Sequence, residues 1–540
     1  DAISTGTQNV AIGSNALGTG VTATNNVAVG RASMAATLGS ENVAVGVNTL
    51  AANQGGSHSV AIGSAALTAQ NPASGNVDFY NVAVGSSAGT AITTGTKNTL
   101  IGGLAGDALN TGGANVAVGY AALSTEDGNG NNVAVGYLAL TTQNTGADGH
   151  NTGVGHKAGR NITTGVQNTF VGALVGDAST EGVHNVAMGY AALTTDTKGN
   201  YSVAIGAGAL ATQNFTTATS AYNVCVGEDA GNDITTGVRN TLIGGLAGDA
   251  LTDADDNTAV GVLALSTCVL GSGNTAVGKD ALEDCNPASA VTMQNTAVGQ
   301  GAAANLTTAI RGTFIGARSG GGSSVTGNDN TCVGNDSGLA LTSGNKNTII
   351  GYAAGDSITT GSSNIMIGEQ SEISAEDGVN QICIGIDINA GGDNNFSFGK
   401  ASNIVVCDFD ADATFERSSD LRLKTDVADV ILGLDFINDL RPVTYKWKAS
   451  GDLDANDPEL AHLRTEDEDG NIINQMTTDV TMHGLIAQEV KTALDTANVS
   501  NFKGWDKDNF GVQTVSREMY VIPLIKAVQE LSTALDAALA

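Results

Sequence analysis

The chain has 540 residues, 23 Lys+Arg against 54 Asp+Glu for a net charge of −31, 72 Gly and 5 Pro, and it is 41% hydrophobic with only 4% aromatic residues. Collagen is excluded, since it needs glycine at every third position with abundant proline, and so is a disordered acidic chain, which would be poorer in Val, Ile and Leu. The acidic balance argues against a nucleic-acid partner, and no run approaches the ~18 apolar residues of a membrane span, so no membrane insertion is expected. No basic start with an apolar signal core precedes the repeats, and the missing initial Met leads us to expect further residues upstream of Asp1.

Composition changes near residue 400. Residues 1–400 hold 66 of the 72 Gly but only 11 Lys+Arg and 29 Asp+Glu, whereas residues 401–540 hold 6 Gly, 12 Lys+Arg and 25 Asp+Glu. Such a shift predicts a repetitive region, 1–400, a linker, 401–418, and an ordinary compact domain, 419–540.

The repeated unit of the first region is Asn-(Val/Thr)-Ala-(Val/Ile)-Gly, as in Asn26-Val27-Ala28-Val29-Gly30 and Asn115-Val116-Ala117-Val118-Gly119. There are 23 such units, most often 17 residues apart. Longer intervals, between the unit-closing glycines 63 and 85, 136 and 155, 206 and 227, and 278 and 299, recur after every four units and mark a larger duplicated block. Val or Ile precedes the glycine in 21 of the 23 units. β-branched residues suit a short strand, and glycine permits a sharp bend. A second apolar element, such as Ala121-Ala122-Leu123, sits midway through each unit. The expectation is one coil per unit, strand–turn–strand–turn, with a thin Ala, Val and Ile core. Coils must stack to bury it. At about 4.8 Å per stacked strand, the β-solenoid would be on the order of 100 Å long.

Asn opens 19 of the 23 units. It forms either an amide ladder along the axis or a turn. A long rod with so little core needs company, which predicts association of several chains. The region resembles the Ala-Val-Gly β-roll heads of trimeric autotransporter adhesins, and more closely the Asn-(Thr/Val)-Ala-Val-Gly repeats of bacteriophage tail fibres. Both resemblances imply a homotrimer.

The six cysteines form no CxxC and have no His at metal-ligand spacing. Cys225, Cys332 and Cys383 replace the Ala of the repeat and are expected buried and reduced. Cys268 and Cys285, 17 residues apart, face each other on adjacent coils either as thiols or as a disulfide. The acidic runs Asp253-Ala254-Asp255-Asp256 and Glu466-Asp467-Glu468-Asp469-Gly470 lack the spaced ligands of an EF-hand and read as solvated turns. No cofactor and no metal site are expected.

Four segments stand out in the last region: Arg417-Ser418-Ser419-Asp420-Leu421-Arg422-Leu423-Lys424, Leu440-Arg441-Pro442-Val443-Thr444-Tyr445-Lys446-Trp447, His483-Gly484-Leu485-Ile486-Ala487-Gln488-Glu489-Val490, and the closing run from Ile522 to Leu531. Together they resemble the intramolecular chaperone of endosialidases, peptidase family S74. The resemblance implies a small α+β domain, trimerisation, and self-cleavage at Ser418–Ser419 by Ser419, with Lys424 as base and Asp420 and Arg422 in support. A lysine serves as base when burial lowers its pKa. Read alone, Ser419-Asp420 would merely cap a short helix. Val521, Leu524, Val528, Leu531, Leu535 and Ala538 make a heptad seam, predicting a coiled-coil helix over 519–540.

The functional expectation is a phage tail fibre in the virion, made in the host cytoplasm, joined to other tail proteins and binding a glycan or protein receptor on the host surface. The alternative is a tailspike depolymerase hydrolysing surface glycans, although no paired carboxylates in an aromatic groove are legible. A bacterial trimeric adhesin would need a closing membrane barrel, and the last segment reads as a helix instead.

Overall fold

The computed structural model describes residues 5–19, 22–72, 75–410, 415–416, 421–466, 472–473 and 478–540. They form two compact units, residues 1–418 and 419–540.

The first unit is a β-solenoid. Each of the 23 repeats contributes one strand to a single sheet, and successive strands pair in parallel without slippage, as in Val116↔Val133 and Ala117↔Ala134. Mainly β architecture with one coil per repeat therefore stands. Two details differ from the expectation. The midway element is not a strand but a run of turns, in which Ala121 and Leu123 take φ of 50° and 55°. Its backbone still bonds outward to neighbouring coils: Leu123 N–H donates to Ala139 O at 3.0 Å and Ala121 N–H to Gly103 O at 2.9 Å. The core also differs, because strand side chains alternate. The central residue of each three-residue strand, most often Ala but also Leu100, Phe170 or Cys225, points inward, while the flanking Val, Thr and Ile point outward and, from the second coil on, are mostly partly exposed. The interior is filled by those central residues together with Leu or Ile from the turn track, such as Leu50, Leu67, Leu123 and Leu140.

The repeat glycine closes the coil where only glycine fits. Gly119 has φ +135°, and a Cβ there would lie 2.3 Å from the carbonyl oxygen of Gly136 on the next coil. Five residues earlier, the position preceding Asn is left-handed in every unit although it is seldom glycine; Lys97, Asn131, Tyr201 and Asp256 have φ of 61°, 64°, 61° and 60°. Backbone bonds between coils offset the steric cost of about 1–2 kcal/mol, as when Lys97 N–H donates to Phe79 O at 2.7 Å.

Asn forms a ladder along the axis, through the backbone more than through amide–amide contact. Asn98 Oδ1 accepts the Asn115 N–H at 3.0 Å, and Asn98 Nδ2 donates to Gly112 O at 2.9 Å. The pattern repeats from Asn115 to Asn132 at 3.0 Å. Where Ser replaces Asn, a Gln supplies the missing groups: Gln213 Nε2 donates to Ser202 Oγ at 3.1 Å and Gln213 Oε1 accepts from Asn223 Nδ2 at 2.9 Å.

The longer intervals leave the coil at one recurring place. Three of them add a two-residue parallel rung, Gly56–Ser57 with Val77–Asp78, Gly199–Asn200 with Thr219–Ser220, and Gly271–Ser272 with Val291–Thr292. Residues 401–418, expected as a linker, carry two more strands of the sheet. After the last parallel strand, Asn395–Lys400, the chain reverses into Asn403–Asp408, which pairs antiparallel, followed by Phe415–Glu416. An antiparallel strand on the final rung covers an edge that would otherwise recruit another strand.

The second unit contains helices α1 (Leu434–Asp439), α2 (Ala487–Thr496) and α3 (Val521–Leu539). Strand Val443–Tyr445 pairs antiparallel with Met482–Gly484, and Trp505–Lys507 forms a hairpin with Gln513–Val515. Its core is small: Leu432, Phe436, Val490, Ala493, Leu494 and Tyr520.

Candidate functional site

Ser418, Ser419 and Asp420 lie outside the described residues. Of the nominated group, Arg422 and Lys424 are described, and both are exposed. A single 3-10 turn, Leu421–Leu423, carries Arg422, and the Lys424 N–H closes that turn on Leu421 O at 3.1 Å.

The other sequence motifs meet in space. The Arg441–Trp447 segment supplies one strand of a pair and the His483–Val490 segment supplies the other, continuing into α2. Arg441 locks the two together by a two-pronged ion pair with Glu489, its Nε 3.1 Å from Oε2. That pairing holds the Glu489 carboxyl below its usual range and the guanidinium above its own. The closing helix packs on α1, where the Glu530 carboxylate accepts the Leu434 N–H at 2.7 Å and so caps the first turn of α1. Tyr520 stacks on Phe436 and donates its hydroxyl to Gly504 O at 3.1 Å; burial pushes its pKa up to about 12. These contacts build a scaffold rather than a catalytic constellation. A groove of about 700 Å³ opens beside Tyr445, Trp447, Leu460 and Arg517, and neither Arg422 nor Lys424 lines it.

Two surfaces remain apolar and uncovered within their own units. One is the outward side of α3, where Val521, Leu524, Val528, Leu531 and Leu535 are each more than half exposed. Pro523 and Ala527 are the helix residues turned into the core. The other is the outer face of the solenoid sheet, whose flanking-residue columns include Ile12, Ile62, Ile101, Ile243, Ile315, Ile350 and Ile384. Stacked aromatics border it: Tyr120–Tyr137–His156 with centroids 5.8 and 5.5 Å apart, and His184–Tyr201–Tyr222 at 5.0 and 5.1 Å. The sequence missed this face because the Val/Ile periodicity was assigned to the core.

The acidic run at 253–256 is engaged within the fold. Asp255 accepts the Val238 N–H at 2.8 Å, and Asp256 pairs with Arg239 at 2.6 Å on the preceding coil. The run from Glu466 continues into residues outside those described. Cys225, Cys332 and Cys383 occupy the inward strand position and are buried thiols; burial pushes the Cys332 pKa up to about 12 and that of Cys383 to about 11. Cys268 and Cys285 are free thiols. Among the described residues no three His, Cys, Asp or Glu side chains gather as metal ligands, and no helix is long and apolar enough to cross a membrane.

No curated protein and no solved structure matches the chain. Residues 419–498 match the family model Peptidase S74, chaperone of endosialidase, so the matched part begins with the second compact unit and stops before α3.

Proposed function

We propose that this chain is a bacteriophage tail fibre of the virion whose solenoid, residues 1–400, reaches a host-surface glycan or protein. Residues 419–540 act as its assembly chaperone, made with it in the host cytoplasm. The observation that carries the reading is the succession of 23 in-register rungs and a unit matching the chaperone of endosialidase. Three copies associate. Parallel sheets are normally covered on both faces, and the solenoid's outer face carries a near-continuous Val/Ile column beside a mixed Val/Thr column, bordered over part of its length by stacked aromatics, a composition suited to burial between chains. The seam on α3 gives the same partners a second place to meet. It spans under three heptads and is too short to hold alone, so it sets register while the slow, non-local stacking proceeds.

The cleavage we infer is a single self-directed event. Lys424, exposed in the single chain, takes the Ser419 hydroxyl proton once association of the chains buries it, and the alkoxide attacks the Ser418 carbonyl carbon. The peptide nitrogen departs as the α-amine of Ser419, with the proton returned to it, and water then hydrolyses the resulting ester. Asp420 and Arg422 orient the loop. Removing the chaperone after folding leaves a kinetically trapped fibre.

A denaturing gel tests the chemistry. Wild type should give fragments 1–418 and 419–540, Ser419→Ala none, Lys424→Ala far less product, and Ser418→Ala the wild-type pattern. Equal fragments from wild type and Ser419→Ala would mean an outside protease. Light scattering on uncleaved Ser419→Ala should return three chains; a stable monomer would refute the assembly. Release of reducing sugar from host surface glycans by the purified fibre would point to a depolymerase instead.

A further inference from the structure

One cluster of the solenoid core has no part in the fibre reading and does not depend on it. Cys268 and Cys285 sit seven residues after the repeat glycines 261 and 278, Gly271 sits ten after the first of these, and Met293 sits six before glycine 299. In the first block the same four positions are Asn53, Gln70, Gly56 and Phe79. There the polar side chains are hydrogen-bonded: Asn53 Oδ1 accepts the Gly56 N–H at 2.7 Å, and Gln70 Nε2 donates to Ser59 Oγ at 3.0 Å. Matching pairs in the next two blocks bond to each other, Gln143 to Glu126 at 3.1 Å and Gln213 to Asp196 at 2.6 Å. The fourth block has exchanged this polar pair, and the aromatic ring beside it, for sulfur.

The three sulfurs converge. Met293 Sδ, Cys268 Sγ and Cys285 Sγ lie 2.7, 2.8 and 3.1 Å from the one point where a Cβ on residue 271 would stand, and glycine leaves that point free. Cys285 Sγ is 3.3 Å from Met293 Sδ. All three side chains are fully buried. We propose that Cys268, Cys285 and Met293 form a three-sulfur site for a soft monovalent d10 cation, Cu(I), which ties two adjacent coils to the inserted loop that follows the second.

Thiolate with thioether is the donor set that selects Cu(I), whereas zinc sites draw on Cys, His and carboxylate. A disulfide would account for the two cysteines but not for a third sulfur aimed at the same point. Metal–thiolate bonds of about 2.3 Å in a trigonal plane place sulfurs about 4 Å apart, so the Met293 thioether swings away from Cys285 by about 0.7 Å, which its flexible stem allows. Binding displaces both thiol protons to solvent. Asn274 Nδ2, 3.9 Å from Cys285 Sγ, is the nearby donor toward the thiolate charge.

The test uses the reduced full-length chain under anaerobic conditions with Cu(I) presented as its bicinchoninate complex. One Cu(I) per chain should leave the chelator, with near-ultraviolet thiolate-to-copper charge transfer and three sulfurs in the X-ray absorption spectrum. Cys268→Ser and Cys285→Ser should each abolish uptake, and Met293→Leu should weaken it about 10- to 100-fold. Cys332→Ala, at an inward strand position apart from the cluster, should leave the stoichiometry unchanged. The double variant Cys268→Asn, Cys285→Gln restores the polar pair of the first block and should fold, by far-UV circular dichroism, while taking up no copper. Wild-type uptake no greater than that of this double variant would overturn the site. So would unchanged affinity in Met293→Leu, or a Cys268–Cys285 disulfide in protein purified without oxidant.

Discussion

The solenoid and the C-terminal unit keep their chains folded by opposite means. In the solenoid each coil bonds to its neighbours through a strand, a turn track and an Asn ladder, so its stability approximates a sum of equal nearest-neighbour contributions. Among its described residues the second unit has one core cluster of six residues, three short strand pairs and a 19-residue helix of which few residues face inward. Backbone bonding specifies the first, and side-chain packing specifies the second. The contrast teaches where each is vulnerable: the solenoid to anything that parts adjacent backbones, the C-terminal unit to loss of a single ring.

The largest effect should come from Gly119→Ala. Its Cβ would lie 2.3 Å from the next coil's carbonyl oxygen at a φ of +135°, combining backbone strain with overpacking for a loss of about 4 kcal/mol. Local hydrogen exchange should rise in the coils on either side while the C-terminal unit is unchanged. Phe436→Ala attacks the other region. Phe436 packs against Phe502 and Tyr520, and its loss should cost about 3 kcal/mol. Near-UV circular dichroism should report that unit melting early with the solenoid signal intact. Joint melting of both units would show that they do not fold independently.

Asn98→Ala probes the ladder at smaller scale. It leaves the Asn115 N–H and the Gly112 carbonyl without their side-chain partner, a loss of about 2 kcal/mol. Substituting a surface residue such as Thr111 serves as the control, and equal melting of the two variants would show that the ladder contributes nothing. The smallest effect concerns pH. Burial pushes Glu372 up to about 7 although it accepts hydrogen bonds from Asp356 N–H at 2.7 Å and from Ser357 Oγ at 2.6 Å. A raised carboxyl pKa means that the folded state holds a proton the unfolded state has released, so this group's contribution to stability falls as pH rises from its ordinary 4.5 to about 7. Glu372→Gln should flatten that decline in thermal unfolding, with a melting point above wild type at pH 8 and close to it at pH 4.

Much of the solenoid was legible because its information is periodic. The repeat glycine and the strand before it each announce themselves 23 times, and the opening Asn 19 times. The left-handed residue before each Asn did not, since Gln, Lys, Tyr, Arg and Asp all occupy it and only the bonding of adjacent coils holds it there. The apolar spacing of the second element matches a strand, yet alternating backbone handedness turns it into a stack of turns. For the candidate site, the motifs identified which segments belong together, and the structure paired them through the Val443–Tyr445 and Met482–Gly484 strands and the Arg441–Glu489 contact.

Sequence by itself determined the number of coils, their parallel register and the break in character near residue 400, because these follow from period and composition, which are properties of the chain. Tertiary structure alone decided which side of each strand meets water and which sulfurs share a point. A period of two fixes that strand side chains alternate but not which half faces in. That choice falls to the space inside a 17-residue coil, which admits Ala and Leu and turns the bulkier β-branched columns outward.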